Sequence, residues 1–159
     1  MSHSKAEVSE TVIEVDIAGS PEQVWKALTT DIGQWWPDDA YGGGEAGKRR
    51  YVLEATPGGI MGETWDNGGG IVWAHVVGVE PNKRLQVTGT SFPGWGGPAQ
   101  WLGSWELTAK GKNTKLKFTE NVIGLLSDSS LASQEKGWKF LWNALAAHVE
   151  GKPAPKWQD

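Results

Sequence analysis

Residues 131–150 read LASQEKGWKFLWNALAAHVE, an amphipathic pattern long enough to shape a small domain. On a period of 3.6 residues the large apolar side chains share one broad stripe, and the charged side chains gather on a narrow strip opposite. The stripe consists of Leu131, Trp138, Leu141, Trp142, Leu145 and Val149. Gly151 and Pro153 end the pattern, because glycine suits a left-handed C-cap and proline cannot continue a helix. We therefore expect a C-terminal helix about 30 Å long that packs against a broad apolar surface.

The residues before this helix predict one strand, two short helices and then six further strands. Alternation of polar and apolar residues at 11–18 is typical of a half-buried strand. Ser20 and Gln23 have the spacing of a capping box that begins a helix, and Pro37 ends a second short helix. The later strands are predicted at 51–55, 60–65, 71–80, 84–91, 99–109 and 114–123. Strands joined by short turns favour an α+β fold in which a curved, seven-stranded antiparallel sheet grips the long helix.

Length and composition limit the classes of function. A chain of 159 residues predicts a single domain at 11–151, with a flexible N-terminal tail at 1–10 and a C-terminal tail at 152–159. The net charge of −4 gives no electrostatic reason to expect nucleic acid as a partner. The lack of Cys excludes disulfides and thiolate zinc sites. No leader and no membrane-spanning apolar run is apparent, so a cytoplasmic location is the default expectation.

The abundance of tryptophan is the main compositional signal of function, with 11 Trp among 159 residues. Trp offers a large apolar surface and a single N–H group, so it suits the walls of a cavity as well as a core. Burial in the core explains any one of these residues equally well. The number is harder to explain in that way, and we expect some of the rings to line a ligand-binding space.

Several motifs, taken in order, resemble a known group of proteins. They are SPEQVW at 20–25, IGQWWP at 32–37, Gly58-Gly59 followed by Glu63, Trp73, VEP at 79–81 with Leu85, Gly137-Trp138 and Glu150-Gly151. Together they resemble the SRPBCC superfamily of START-like helix-grip proteins, and within it the branch named for the activator of heat-shock protein 90 ATPase. The resemblance extends over about residues 11–151.

This resemblance implies a helix-grip fold with an internal cavity for an apolar or amphipathic small molecule. It implies no single activity, because the superfamily includes lipid carriers, polyketide cyclases and hydratases, and co-chaperone domains. The co-chaperone carries a further N-terminal domain, which we do not expect here because 159 residues are most simply one domain.

Two carboxylates occupy positions that the strand pattern turns inward. Glu120 shares the parity of Phe118, and Glu63 shares the parity of Met61. A carboxylate on an inward face is costly unless it is paired or hydrated. Each Glu could line the cavity with a raised pKa and bind a ligand or act as a general base. The alternatives are that an Arg pairs with one of the two carboxylates, or that Glu120 lies at the solvent-exposed end of its strand.

His75 alternates with Trp73 along the same predicted strand. A lone His in this setting is more often a hydrogen-bonded core residue than a ligand. No second His or acid has metal-ligand spacing, so we expect neither a metal site nor a cofactor.

Two loops offer further interpretations. GGGEAGK at 42–48 matches the first seven positions of a phosphate-binding loop, but no strand precedes it and Arg49 replaces the hydroxyl residue. We interpret it as a flexible loop that could close over a cavity. Trp95, in a loop rich in Gly and Pro, and Trp157 are candidates for a contact in a homodimer.

The preferred hypothesis is binding, without catalysis, of a small hydrophobic, aromatic or lipid-like ligand in an internal cavity. The predicted ligand-binding residues are Met61, Glu63, Trp73, His75, Phe118, Glu120, Trp138 and Trp142. Two alternatives stay open. One is a cyclase or hydratase in which Glu63 or Glu120 acts as general base beside His75, and the other is a co-chaperone-like interaction module that uses an exposed surface.

Overall fold

The computed structural model describes residues 5–38, 45, 48–93 and 97–157. Ten elements follow one another in these residues: β1 (Glu7–Ile17), α1 (Pro21–Leu28), α2 (Ile32–Trp35), β2 (Arg49–Leu53), β3 (Ile60–Trp65), β4 (Gly70–Glu80), β5 (Arg84–Ser91), β6 (Ala99–Lys110), β7 (Asn113–Gly124) and α3 (Asp128–Val149). No helix in this part of the chain is both long and apolar enough to cross a membrane.

The strands form one antiparallel sheet of seven, in the order β1-β7-β6-β5-β4-β3-β2. The six later strands are a meander, and β1 joins its far end by pairing with β7 from Glu7↔Gly124 to Ile17↔Thr114. The curved sheet and the long C-terminal helix confirm the predicted helix-grip fold.

The N-terminal end of the domain differs from the prediction, and the C-terminal tail makes contacts with α3. β1 begins at Glu7, so the predicted tail at 1–10 is too long, because residues 7–10 pair with β7. At the other end Trp157 packs edge-on against Phe140 of α3, with 5.0 Å between ring centroids. Lys136 lies over the same indole ring, 5.1 Å from its centroid. The C-terminal segment therefore packs on α3, and Trp157 is partly covered by its own chain.

The core lies between the sheet and the C-terminal half of α3. Trp142 and Leu145 are fully buried there, against Trp105 and other large side chains of the sheet. The helix approaches the loop after β1 so closely that a Cβ on Gly19 would lie 2.6 Å from Val149 Cγ1. This end of α3 is thus held tightly by packing.

Two register shifts interrupt β4. Met61 pairs with Ala74 but Gly62 pairs with Val72, so Trp73 is an extra residue opposite β3. A second shift leaves Val77 extra opposite β5. An extra residue reverses the alternation of faces along a strand.

Candidate functional site

A pocket of about 410 Å³ lies between the N-terminal half of α3 and the sheet, and it is partly open to solvent. We call it the Trp cleft, because four indole rings line it: Trp36, Trp73, Trp101 and Trp138. Most of the remaining lining is aliphatic, including Met61, Ile71 and Leu141.

One wall of the cleft is an aromatic cluster from three elements. Trp36 follows α2 directly and stacks on Trp73, with centroids 5.2 Å apart and planes inclined by 25°. The ring of Tyr51 on β2 lies within 6 Å of both, at 5.8 Å and 5.9 Å. α2 is held in place by Trp35, whose indole N–H donates to the carbonyl oxygen of Ala27 at 2.7 Å. The short helix thus positions this wall.

The part of the lining formed by Trp138 and Trp101 is supported by the core. Trp138 stacks on the fully buried Trp142, with centroids 5.3 Å apart and planes inclined by 7°. Phe118 lies behind it at 4.8 Å. Trp101 lies flat on the sheet over Gly89, where a Cβ would be 2.2 Å from its Nε1 atom. Gly89 is therefore needed for the orientation of Trp101.

Glu120 is the acidic group of the cleft, and only 1% of its surface is exposed. Gln134 Nε2 donates to its Oε1 at 3.2 Å. Burial raises the pKa of Glu120 to about 7, and the nearby Trp138 indole N–H opposes that shift by a smaller amount. Thr11 and Gly103 flank Glu120 in the sheet register, and neither is titratable.

The indole N–H of Trp138 is buried and has no hydrogen-bond partner within the described residues. It lies near Glu120 without reaching hydrogen-bond geometry. The N–H groups of Trp105 and Trp142 are likewise buried without a partner in this part of the chain. The rings of those two residues are fully buried in the core, whereas the Trp138 ring lines the cleft.

The charged lining of the cleft is acidic only, as far as the described residues go. Its polar lining residues are Thr90, Ser91, Glu120 and Gln134. Among the described residues that line it, Glu120 is the only charged one, and no Lys, Arg or His is present. The cleft can therefore offer stacking surfaces, a carboxyl group and an indole donor, but no cation for an anionic ligand.

Glu63 is also buried, with 2% of its surface exposed, but it does not line the Trp cleft. Its Oε1 accepts a hydrogen bond from Trp65 Nε1 at 2.8 Å. In the sheet it pairs with Tyr51. Burial raises the pKa of Tyr51 to about 12; the positive charge of Arg49 opposes this rise, and the negative charges of Asp38 and Glu63 add to it. Glu63 therefore belongs to a polar cluster beside the cleft.

That cluster borders a second pocket of about 530 Å³ at α2 and β2. The Arg49 side chain is buried there and pairs with Asp38, with Nε 3.2 Å from Oδ1. The loop at 42–48, which resembles a phosphate-binding motif, and the lid function predicted for it lie largely outside the described residues. So does Trp95.

The structure brings together half of the predicted ligand-binding residues. Met61, Trp73, Glu120 and Trp138 line the Trp cleft. Phe118 and Trp142 lie in the core behind Trp138. The expectation that His75 faces the cavity is wrong: His75 is exposed on the outer face of the sheet, because the extra residue Trp73 turns Ala74 and Val76 inward instead.

Five lining residues with a polar or aromatic side chain were absent from the prediction: Trp36, Thr90, Ser91, Trp101 and Gln134. Trp101 shares the strand parity of the buried Trp105, and Gln134 precedes Trp138 by one helical turn. These two signals could have identified both residues. Trp36 comes from outside the sheet, and only the fold brings it to the cleft.

A model of the family described as activator of Hsp90 ATPase homolog 1-like protein matches residues 18–150 of the chain. No curated protein matches the chain. Several solved structures have the same fold.

An uncharacterized protein from Rhizobium leguminosarum is 22% identical, with a TM-score of 0.70 over 93% of this chain and 98% of the other. The Aha1 dimer from Colwellia psychrerythraea is 24% identical, with a TM-score of 0.59 over 89% of this chain and 96% of the other. CalU16 from Micromonospora echinospora is 17% identical, with a TM-score of 0.59 over 95% of this chain and 86% of the other.

Proposed function

We propose that this chain, which belongs to the family of activator of Hsp90 ATPase homolog 1-like proteins, binds a small hydrophobic or aromatic molecule in the Trp cleft. The observation that carries the proposal is the lining of the cleft, in which four indoles surround about 410 Å³ of space. Pockets for small ligands have this size and consist of apolar and aromatic walls with few polar groups.

The stacking geometry supports a flat ligand. Trp36 and Trp73 form one stacked aromatic wall of the cleft, and Trp138 adds its ring at another part of the lining. Each ring gains apolar contact when a ligand displaces water from it, at about 25 cal/mol per Å² of area buried. A molecule with two fused rings could contact both parts of the lining.

Titration with N-phenyl-1-naphthylamine, a neutral and flat fluorophore, tests the proposal. We expect saturable enhancement of its emission, quenching of Trp fluorescence and a rise in melting temperature, because a ligand that binds the folded state stabilises it. Trp73→Ala should weaken binding about tenfold or more, since it removes one wall. Trp157→Ala is the matched control, because that indole packs on α3 away from the cleft.

Two outcomes would contradict the proposal. One is the absence of saturable binding for this probe and for a panel of flat hydrophobic compounds. The other is an equal loss of affinity in Trp73→Ala and Trp157→Ala, which would place the binding surface elsewhere.

Proton transfer by Glu120 is a second candidate function, favoured by its pKa of about 7 in an apolar pocket. His75 and Glu63 take no part in this version, because neither lines the cleft. Glu120→Gln should then abolish turnover of a bound substrate while the affinity for it stays within a few fold. Unchanged turnover in Glu120→Gln would reject the enzyme hypothesis.

A homodimer and a cytoplasmic location also remain proposals for this chain. The related structure from Colwellia psychrerythraea is a dimer, and light scattering at several protein concentrations would test the same state here. A mass equal to the monomer at all concentrations would argue against the dimer.

A further inference from the structure

The Trp cleft contains a hydrogen-bond acceptor and a hydrogen-bond donor side by side. The carboxyl group of Glu120 borders the cleft and accepts one hydrogen bond, from Gln134, within the described residues. A carboxylate has about four acceptor positions, so capacity remains. The Trp138 indole N–H is buried close enough to Glu120 to lower the pKa of that carboxyl, but it meets hydrogen-bond geometry with no described residue. A single ligand group that contacts both can satisfy both only if it donates to Glu120 and accepts from Trp138.

We propose that the natural ligand of the Trp cleft is an aromatic compound with a hydroxyl group, and that this hydroxyl donates to Glu120 while it accepts from Trp138. This inference rests on the proposed function, because it assumes that the ligand occupies the cleft. It adds the chemical class of the ligand and the two residues that select it.

Other polar groups satisfy this pair less well. A ligand carboxylate or phosphate would face Glu120 with no cation among the described lining residues to offset the repulsion. An ammonium group could pair with Glu120 but would leave the Trp138 N–H unsatisfied, since it has no lone pair. An ether oxygen could accept from Trp138 but offers nothing to Glu120. A hydroxyl group meets both needs with one atom.

The site also favours an uncharged ligand energetically. Burial of a charge in an apolar pocket is costly unless a partner of opposite charge is present. The raised pKa of Glu120 reflects the same cost for the protein's own acid. An anionic ligand would add a second buried negative charge to this region.

Four naphthalene derivatives of similar size test the inference by isothermal titration at pH 8: naphthalene, 2-methoxynaphthalene, 2-naphthol and 2-naphthoate. We expect 2-naphthol to bind about tenfold more tightly than naphthalene, because it gains one hydrogen bond to a carboxylate and one from the indole. The methoxy compound should fall between them, since it can only accept. The carboxylate should bind most weakly.

Two variants assign the effect to residues. Glu120→Leu removes the acceptor and Trp138→Phe removes the donor while it keeps an aromatic ring. In both, the ratio of naphthol to naphthalene affinity should fall toward one. Trp101→Phe is the matched control, because it alters another cleft indole and should weaken all four compounds without changing the ratio. Circular dichroism checks that each variant is folded.

Several results would overturn the inference. In the unmodified protein, equal affinity for 2-naphthol and 2-methoxynaphthalene would exclude donation to Glu120, whether or not the variants fold. Tighter binding of 2-naphthoate than of 2-naphthol would point to a charged ligand, and so would tighter binding of 2-naphthylmethylammonium, titrated as a fifth compound. If naphthalene binds but the hydroxyl adds nothing, only this inference fails. If none of the compounds binds, the proposed function fails with it.

Discussion

The two halves of α3 share one apolar stripe, yet they face different surroundings. The C-terminal half, residues 142–149, packs into closed core, where Trp142 contacts Trp105 edge-on at 5.6 Å and Phe118 at 5.0 Å. The N-terminal half, residues 128–141, borders the Trp cleft through Gln134, Gly137, Trp138 and Leu141. One continuous pattern therefore serves as core at one end and as the wall of a pocket at the other.

The sheet causes this difference. Opposite the C-terminal half it presents large apolar side chains such as Trp105 and Leu116, both fully buried. Opposite the N-terminal half it presents the carboxyl group of Glu120 and the small residues Gly89 and Gly103, which leave room for rings to lie on the strands. The pocket lies where Gly89 and Gly103 leave space on the sheet, whereas the apolar stripe of α3 continues along both halves.

Trp142 and Trp138 stack on each other, and replacing each of them by Ala should show the difference between the two halves of α3 most clearly. Trp142→Ala should lower the free energy of unfolding by about 3–5 kcal/mol, because it opens a cavity in closed core. Trp138→Ala should cost clearly less, since Trp138 already borders open space, but it should abolish binding of N-phenyl-1-naphthylamine. Urea denaturation measures the first quantity and fluorescence titration the second.

Trp157→Ala serves as the control for both measurements, because Trp157 contacts the outer side of α3 at Phe140. Equal losses of stability in Trp138→Ala and Trp142→Ala would break the comparison, since they would mean that the N-terminal half is packed as closely as the C-terminal half.

Glu120 should make the cleft end of the domain sensitive to pH. Its pKa is raised from 4.5 to about 7 in the folded protein, so between these values the folded state holds a proton that the unfolded chain has lost. Its contribution to the free energy of unfolding is therefore highest below pH 4.5 and falls by about 2–3 kcal/mol as the pH rises to 7. Glu120→Gln should remove this loss, so the variant should be more stable than the parent at pH 8 and similar at pH 5.

Urea denaturation at pH 5 and pH 8 checks this expectation. Glu106→Gln is the control, because Glu106 is an exposed carboxylate on the neighbouring strand β6. The free energy of unfolding of the parent is compared with that of Glu120→Gln at each pH. If this difference is the same at pH 5 and pH 8, the cleft solvates Glu120 better than its burial implies.

Sequence patterns predicted the elements well, because each strand and helix has its own local signal. The turn residues around β3 and β5 gave the bounds Ile60–Trp65 and Arg84–Ser91 as observed. The apolar stripe of α3 and the parity of Glu120 gave the helix wall and the buried acid. These signals depend on periodicity within one element, which a sequence displays directly.

The failures arose where one residue changes the relation between elements. The extra residue Trp73 reverses the faces of β4 and places His75 outside, and no composition signal marks it. Trp142 and Phe118 have the pattern of pocket residues but lie one layer behind Trp138. Periodicity gives the face of an element, whereas the depth of a side chain within the packed layers depends on the partner surface.

The smallest expected effect concerns how the two ends of α3 are held. At the C-terminal end, Glu150 Oε1 accepts a hydrogen bond from Ala18 N at 2.9 Å, a contact to a distant part of the chain. At the N-terminal end, Ser127 Oγ accepts from Ser130 N at 3.2 Å, and this capping box is entirely local.

Ser127→Ala should lower the free energy of unfolding by about 1 kcal/mol. Hydrogen exchange should accelerate in the first two turns of α3 but not near Glu150, and Ser133→Ala, at an exposed position of the same helix, should leave exchange unchanged. Acceleration along the whole helix would mean that both halves open as one unit, and the cleft wall could then not move independently of the core.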